Sequence, residues 1–239
     1  MMILTATACK KDKDDSNGDV SVINATSIVG DNDDEVDNVK ALTSIVDYYD
    51  DEYHYVGEYE IAAVTYKNSR FRITLPATLP DGCLMELGKF QDGVTVSDIN
   101  VKGTSIEVVY AYDKHENQVG HFHLRRYEKD ENGFCAAIWL YVDVNCTIKG
   151  SEFYDNNGNH YNYKYDCNLK KGWNIVYLYR EIHQMGTDSY SWEDTVTTKK
   201  PAGVELKWHY VNFGNYYDKT SEPKTKIFPM LDRLQSIKN

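Results

Sequence analysis

The sequence predicts an all-β, antiparallel fold. Three observations carry that expectation. Apolar residues recur at every second position in one segment after another, the period of a strand with one face buried. Helix signals are almost absent before the C-terminal tail. Tyrosine is abundant, 20 residues against 7 phenylalanines, and its amphipathic ring suits pleated surfaces that are half wet. Two β-sandwich modules are the first arrangement expected, with one continuous sandwich or barrel as the alternative.

The strands follow in order. Residues 20–29, 38–46 and 54–67 carry strand-forming composition. In Ser69–Leu75 the side chains of Phe71, Ile73 and Leu75 share one face, Arg70, Arg72 and Thr74 take the other, and Pro76 and Pro80 end the run. Further strands are expected at 94–101, 104–112 and 118–127. From Ala137 to Ile148 the even positions Ile138, Leu140, Val142, Val144, Cys146 and Ile148 form an apolar face. In Tyr161–Leu169 the odd positions do so, against Asn162, Lys164, Asp166 and Asn168. Trp173–Tyr179 is apolar on both faces, as a central strand would be. A strand at 191–198 precedes the alternation of Val204, Leu206, Trp208 and Tyr210 with Glu205, Lys207 and His209. Residues 214–228 read as a polar connector, and Pro229 opens a short candidate helix with Met230, Leu231, Leu234 and Ile237 on one side. The polar stretch Asp113–Gln118 separates an expected N-terminal module, 19–113, from a C-terminal one, 114–213, with a tail at 214–239.

Length and composition bound the function. A chain of 239 residues allows one large domain or two smaller ones. Its net charge of −11 argues against nucleic acid or anionic lipid as the main partner, because both need a basic footprint. A hydrophobic content of 41% supports a packed core. No run approaches the ~18 apolar residues of a membrane helix.

The N-terminus runs Met1-Met-Ile-Leu-Thr-Ala-Thr-Ala-Cys9 and switches at once to Lys10-Lys-Asp-Lys-Asp-Asp15. Small residues ending in Cys and followed by charge resemble the end of a bacterial lipoprotein signal peptide, here residues 1–8. The resemblance implies that Cys9 is lipidated and tethers the chain to the outer membrane of a Gram-negative cell through its lipid alone. Residues 10–18 lack apolar side chains, so the segment 9–18 reads as the lipidated Cys and a flexible leash. Their aspartate-rich character resembles the surface-export signal of Bacteroidetes lipoproteins.

Three further motifs, Tyr66-Lys-Asn-Ser-Arg-Phe-Arg-Ile-Thr-Leu-Pro76, Leu169-Lys-Lys-Gly-Trp-Asn174 and Leu206-Lys-Trp208, together resemble a group of Bacteroidetes cell-envelope lipoproteins of unknown function. The resemblance spans roughly residues 36–212. Its motifs are packing and turn motifs, so it implies an all-β envelope protein and no reaction. Ser69 and Arg70 stand where that pattern carries glycines.

Several residues are candidates for chemistry. His121 and His123 project with Arg125 from one strand face, about 7 Å apart, a spacing at which two imidazoles can grip a transition metal or haem iron. The competing reading is a solvated face. Asp31, Asp33, Asp34 and Asp37 gather oxygens in one loop, as calcium requires, although Gly30 precedes the run instead of interrupting it. Trp139, Tyr141 and Trp192 are candidates for stacking on sugar rings, the first two because they lie opposite the apolar face of their strand. Trp173 and Trp208 are assigned to the core. Asp194-Thr195-Val196 resembles the O-glycosylation sequon of exported Bacteroidetes proteins, with Thr195 as acceptor. Cys146 and Cys167 flank the turn Asp155-Asn-Asn-Gly158. If Asn156-Asn157 form the loop the two cysteines stand opposite each other; if Asn157-Gly158 do, Cys146 faces Leu169 and Cys167 faces Ile148. An oxidising envelope favours a disulfide, whereas Asn-Gly, the better turn, favours two core thiols.

The expected function is that of a non-enzymatic surface lipoprotein, a binding or adhesion module for a glycan or another cell-surface ligand. No cofactor is implied. The alternatives are a metal or haem binder through the histidine pair, and a hydrolase with an unrecognised pair of carboxylates.

Overall fold

The computed structural model describes residues 21–30, 35–49, 52–87, 90, 93–127, 133–156, 159–185 and 190–213. Cys9 and the tether, Asp31, Asp33, Asp34 and the candidate tail helix lie outside them. The expected all-β class holds: the described residues form strands joined by turns and one 3-10 turn at Asp81–Cys83.

In chain order the strands are β1 (Val22–Ala25), β2 (Ile28–Val29), β3 (Asn38–Tyr49), β4 (Glu52–Thr65), β5 (Phe71–Thr74), β6 (Met85–Glu86), β7 (Val94–Val96) and β8 (Lys102–Ile106). They continue as β9 (Val109–Tyr112), β10 (Gln118–Tyr127), β11 (Gly133–Val142), β12 (Cys146–Asn156), β13 (Asn159–Leu169), β14 (Gly172–Gln184), β15 (Tyr190–Thr197) and β16 (Lys207–Asn212). β1 pairs with β5. The others join one large sheet with the order β4-β3-β9-β10-β11-β14-β15-β13-β12-β7, which does not close into a barrel among the described residues. β16 branches from β10 and carries β2; β8 branches from β11 and carries β6. The pairings are antiparallel except β13 with β15 and β16 with β2.

Strand β10 is where the sheet divides. One of its edges pairs with β16; the other pairs first with β9 and then with β11. β11 repeats the device, with β14 along one edge and β10 followed by β8 along the other. These junctions fold the sheet so that β11 and β14 form a wall between two cores. On one side Trp139, Tyr141 and Trp173 pack with Ile23, Phe71, Ile73, Phe122 and Trp208. On the other, Ile138, Leu140, Val176 and Leu178 pack with Ile148, Tyr165, Cys167 and Val196.

This arrangement replaces the expectation of separate modules at 19–113 and 114–213. β9 pairs with β10 and β8 with β11 across that divide, and the first core draws side chains from both segments. Among the described residues the strands of both segments share one sheet, as the continuous alternative expects. Some strand bounds move too. The run expected at 137–148 breaks at residues 143–145 into β11 and β12, and 104–112 divides into β8 and β9.

The local alternation is as expected where one face is wet. β5 buries Phe71 and Ile73 and exposes Arg72 and Thr74. β13 buries Tyr163, Tyr165, Cys167 and Leu169, while its other face carries the ion pairs Lys164–Glu193 and Asp166–Lys199. The β4–β5 connection turns at Asn68 and Ser69, both in the left-handed region at φ 54° and 55°, with Lys67 and Arg70 exchanging backbone hydrogen bonds of 3.2 Å. That is a type I′ turn. β4 ends the sheet path as a long edge strand. Two irregularities in its register with β3, and the exposed Glu58 and Glu60, discourage another chain from adding to it.

Candidate ligand-binding surface

Of the three aromatic residues proposed for sugar stacking, the structure leaves one at the surface. Trp139 and Tyr141 are buried, at 4% and 3% exposure. The expectation that they face solvent fails because β11 has a core on each side. Trp139 stacks on Trp208 with centroids 5.9 Å apart, and Tyr141 meets the edge of Trp173 at 5.4 Å. Trp173 and Trp208 are core, as expected, and their indole N–H groups donate to the carbonyls of Pro76 and Asn24 at 2.8 and 3.1 Å.

Trp192 is half-buried on β15, beside Tyr161 of β13. Their rings are parallel within 5° with centroids 4.7 Å apart. Tyr190, two residues before Trp192 on the same strand face, lies 5.6 Å away and is 37% exposed. One step further into the sheet, Arg180 and Asp194 are buried and joined by two 2.7 Å hydrogen bonds, from Nε to Oδ1 and from Nη2 to Oδ2. The Arg180 guanidinium also lies 5.3 Å from the Phe134 ring. On the same face Tyr165 donates to the buried Glu152 at 2.9 Å. This sheet face therefore grades from an apolar core, through buried paired charges, to an aromatic cluster that keeps part of its surface in water.

Asp194 of the sequon-like triplet is thus held by Arg180. Thr195 points to the opposite face of β15, half-buried, between Lys164 of β13 and Tyr179 of β14 in register.

The histidine strand departs from expectation. Phe122 is fully buried, but so is His123, at 3% exposure, and His121 is half-buried. A solvated face is excluded at His123, which is buried on an interior strand, while Arg125 further along the same face borders an open groove. Register sets His209 of β16 directly opposite His123, with rings 5.8 Å apart, while His121 and His123 are 5.4 Å apart. Burial, reinforced by the Arg125 charge, holds all three imidazoles below their usual pKa, His121 at about 4. They are neutral at pH 7. Even so, no group of three or more ligating side chains among the described residues has the geometry to hold a metal ion. Arg125 explains why the place suits a cation poorly.

Beyond the histidines, Arg125, Arg126, Gly203, Glu205, Lys207 and His209 line an open groove of about 450 Å³. The sequence placed His209 and Lys207 on an outward face, but their position beside β10 had no local signal. Asp37, the described member of the calcium candidates, is exposed at the start of β3, where its N–H bonds the Tyr112 carbonyl and its own carbonyl accepts from Tyr66.

The β12–β13 hairpin takes the Asn-Gly register. Asn156 pairs with Asn159, so Cys146 lies opposite Leu169 and Cys167 opposite Ile148. The disulfide alternative fails: Cys83, Cys135, Cys146 and Cys167 are buried and none is in a disulfide.

No protein-family description, no curated protein and no solved structure matches this chain. Among the described residues no helix is long and apolar enough to cross a membrane.

Proposed function

We propose that this chain is a non-enzymatic, lipid-anchored envelope protein of the Bacteroidetes type, whose β scaffold presents a glycan-binding surface on β13 and β15. The observation that carries the binding reading is the Tyr161–Trp192–Tyr190 cluster. Sugar rings present flat C–H faces that stack on aromatic planes, and a platform binds best when its rotamers are fixed before the ligand arrives. Trp192 is fixed by its stack on Tyr161, yet it and Tyr190 remain accessible. The buried Arg180–Asp194 pair behind them ties β15, which carries both rings, to β14. The anchor rests on Cys9 and the charged leash that follows it.

The test is a glycan array with the full chain, followed by titration of any retained sugar. Retention by the wild type, lost in Trp192→Ala and weakened in Tyr190→Ala, supports the reading. Silence across the array, or equal retention by Trp192→Ala, overturns it. Detergent-phase partitioning of the protein expressed with its signal tests the anchor: Cys9→Ala should move it to the aqueous phase.

A further inference from the structure

We propose that the groove between the end of β10 and β16 is a second binding site, for a compact oxyanion of the phosphate or sulfate-ester type. Among the described residues, three permanent cations, Arg125, Arg126 and Lys207, line it together with His209, against one carboxylate, Glu205. This is a local excess of two positive charges in a chain whose net charge is −11. The contrast matters, because a cleft lined by one sign of charge focuses the field within it.

The cations are placed by backbone architecture. Arg125 and Lys207 are cross-strand partners in the β10–β16 ladder, so their side chains leave the same sheet face side by side. Arg126, next in sequence, reaches the carbonyl of Gly203 at 3.5 Å, which holds the 201–204 turn against the strand end. His209 bonds the Arg125 backbone and stands behind Lys207 on the same strand face. The Arg125 charge acts on His121, His123 and His209, and Lys207 adds to it at His209.

Guanidinium groups present paired N–H donors to tetrahedral oxyanions, and lysine adds a mobile point charge. At about 450 Å³ the groove is wide enough for an oxyanion carrying a further group. Long polyanions are disfavoured, since the chain's net charge of −11 would repel the rest of the strand. The site shares no residue with the aromatic cluster on β13 and β15, so either can fail alone.

The experiment is calorimetric titration of the full chain with inorganic pyrophosphate, glucose 6-phosphate and glucose 6-sulfate, with glucose as control. A flotation arm uses the Cys9→Ala chain, which has no anchor of its own, with phosphatidylcholine vesicles containing phosphatidic acid. Saturable binding of a soluble anion but not of glucose, weakened about tenfold or more by Lys207→Glu and by Arg126→Gln, supports the site. The affinity should also fall as salt rises. Flotation abolished by Lys207→Glu supports it too, and assigns the phosphate to a lipid headgroup. Lys207 is exposed, so its variant should keep the wild-type melting temperature, and Trp192→Ala should leave anion binding unchanged. The proposal is overturned if no anion binds in any arm, or if both groove variants bind as the wild type does.

Discussion

Arg180 and Asp194 face each other across β14 and β15 and are joined by two 2.7 Å hydrogen bonds, with the Asp194 side chain only 1% exposed. Removing one partner leaves the other charge buried and uncompensated. Asp194→Ala should therefore cost about 3–5 kcal/mol of unfolding free energy, while the double change Arg180→Met with Asp194→Leu should recover most of that loss. Urea titration of both variants measures it. A single variant within 1 kcal/mol of wild type would show that the pair is not the strut described above.

The histidines make a pH prediction with a definite sign. His121 has a folded-state pKa of about 4 against 6.5 for the free side chain, through burial first and the Arg125 charge second. Below pH 6.5 the unfolded chain takes up a proton that the native state refuses. The associated stability is complete above pH 6.5 and is lost as pH falls toward 4, by about 3 kcal/mol for His121 alone. His123 and His209, shifted in the same direction, steepen the fall. Unfolding curves between pH 4 and 7 should be flatter for His121→Gln than for wild type; parallel curves would refute the assignment.

The thiols should be silent in the native protein. Burial pushes Cys146 up to about 11 and Cys167 up to about 12, and Cys167 also donates weakly to the Val196 carbonyl at 3.5 Å. With Cys9→Ala to remove the N-terminal thiol, a disulfide-exchange reagent at pH 8 should titrate no thiol rapidly in native protein and four after denaturation. A peptide linking residues 146 and 167 would reject the observed register.

Ser69 occupies a left-handed position, at φ 55°, that glycine fills without a Cβ penalty. Ser69→Gly should stabilise the β4–β5 turn by about 0.5–1 kcal/mol and raise the melting temperature by roughly 2–4 °C. A lower melting temperature would mean that the turn is not the type I′ form.

What could be read from the sequence was what a short window decides. The buried side chains of β5 and β13, the core positions of Trp173 and Trp208, and the competing hairpin registers all follow from period two and from turn chemistry. Whether a strand's second face is covered is not a local property. Trp139, Tyr141 and His123 looked outward because their neighbours in sequence face inward, and only the placement of β11 between two cores reverses that for the tryptophan and tyrosine. The candidate sites divide the same way. Trp192 was visible as an aromatic, but its stack on Tyr161 depends on β13 and β15 lying parallel. The basic groove depends on β16 returning to β10, a pairing between residues distant in sequence that no motif announces.

The pairing of Ile28 with Trp208, beside the bond from the Trp208 indole to Asn24, bears on how the molecule comes into being. The strand that seals Phe71, Phe122 and Trp139 is the last described one, so the first core stays open until Lys207–Asn212 is available. Contacts so distant in sequence make folding slow and all-or-none, and a chain still being synthesised or transported exposes its aromatic interior throughout. A ribosome-stalled or truncated product ending before Lys207 would accordingly be aggregation-prone, even with nearly all of its other strands complete.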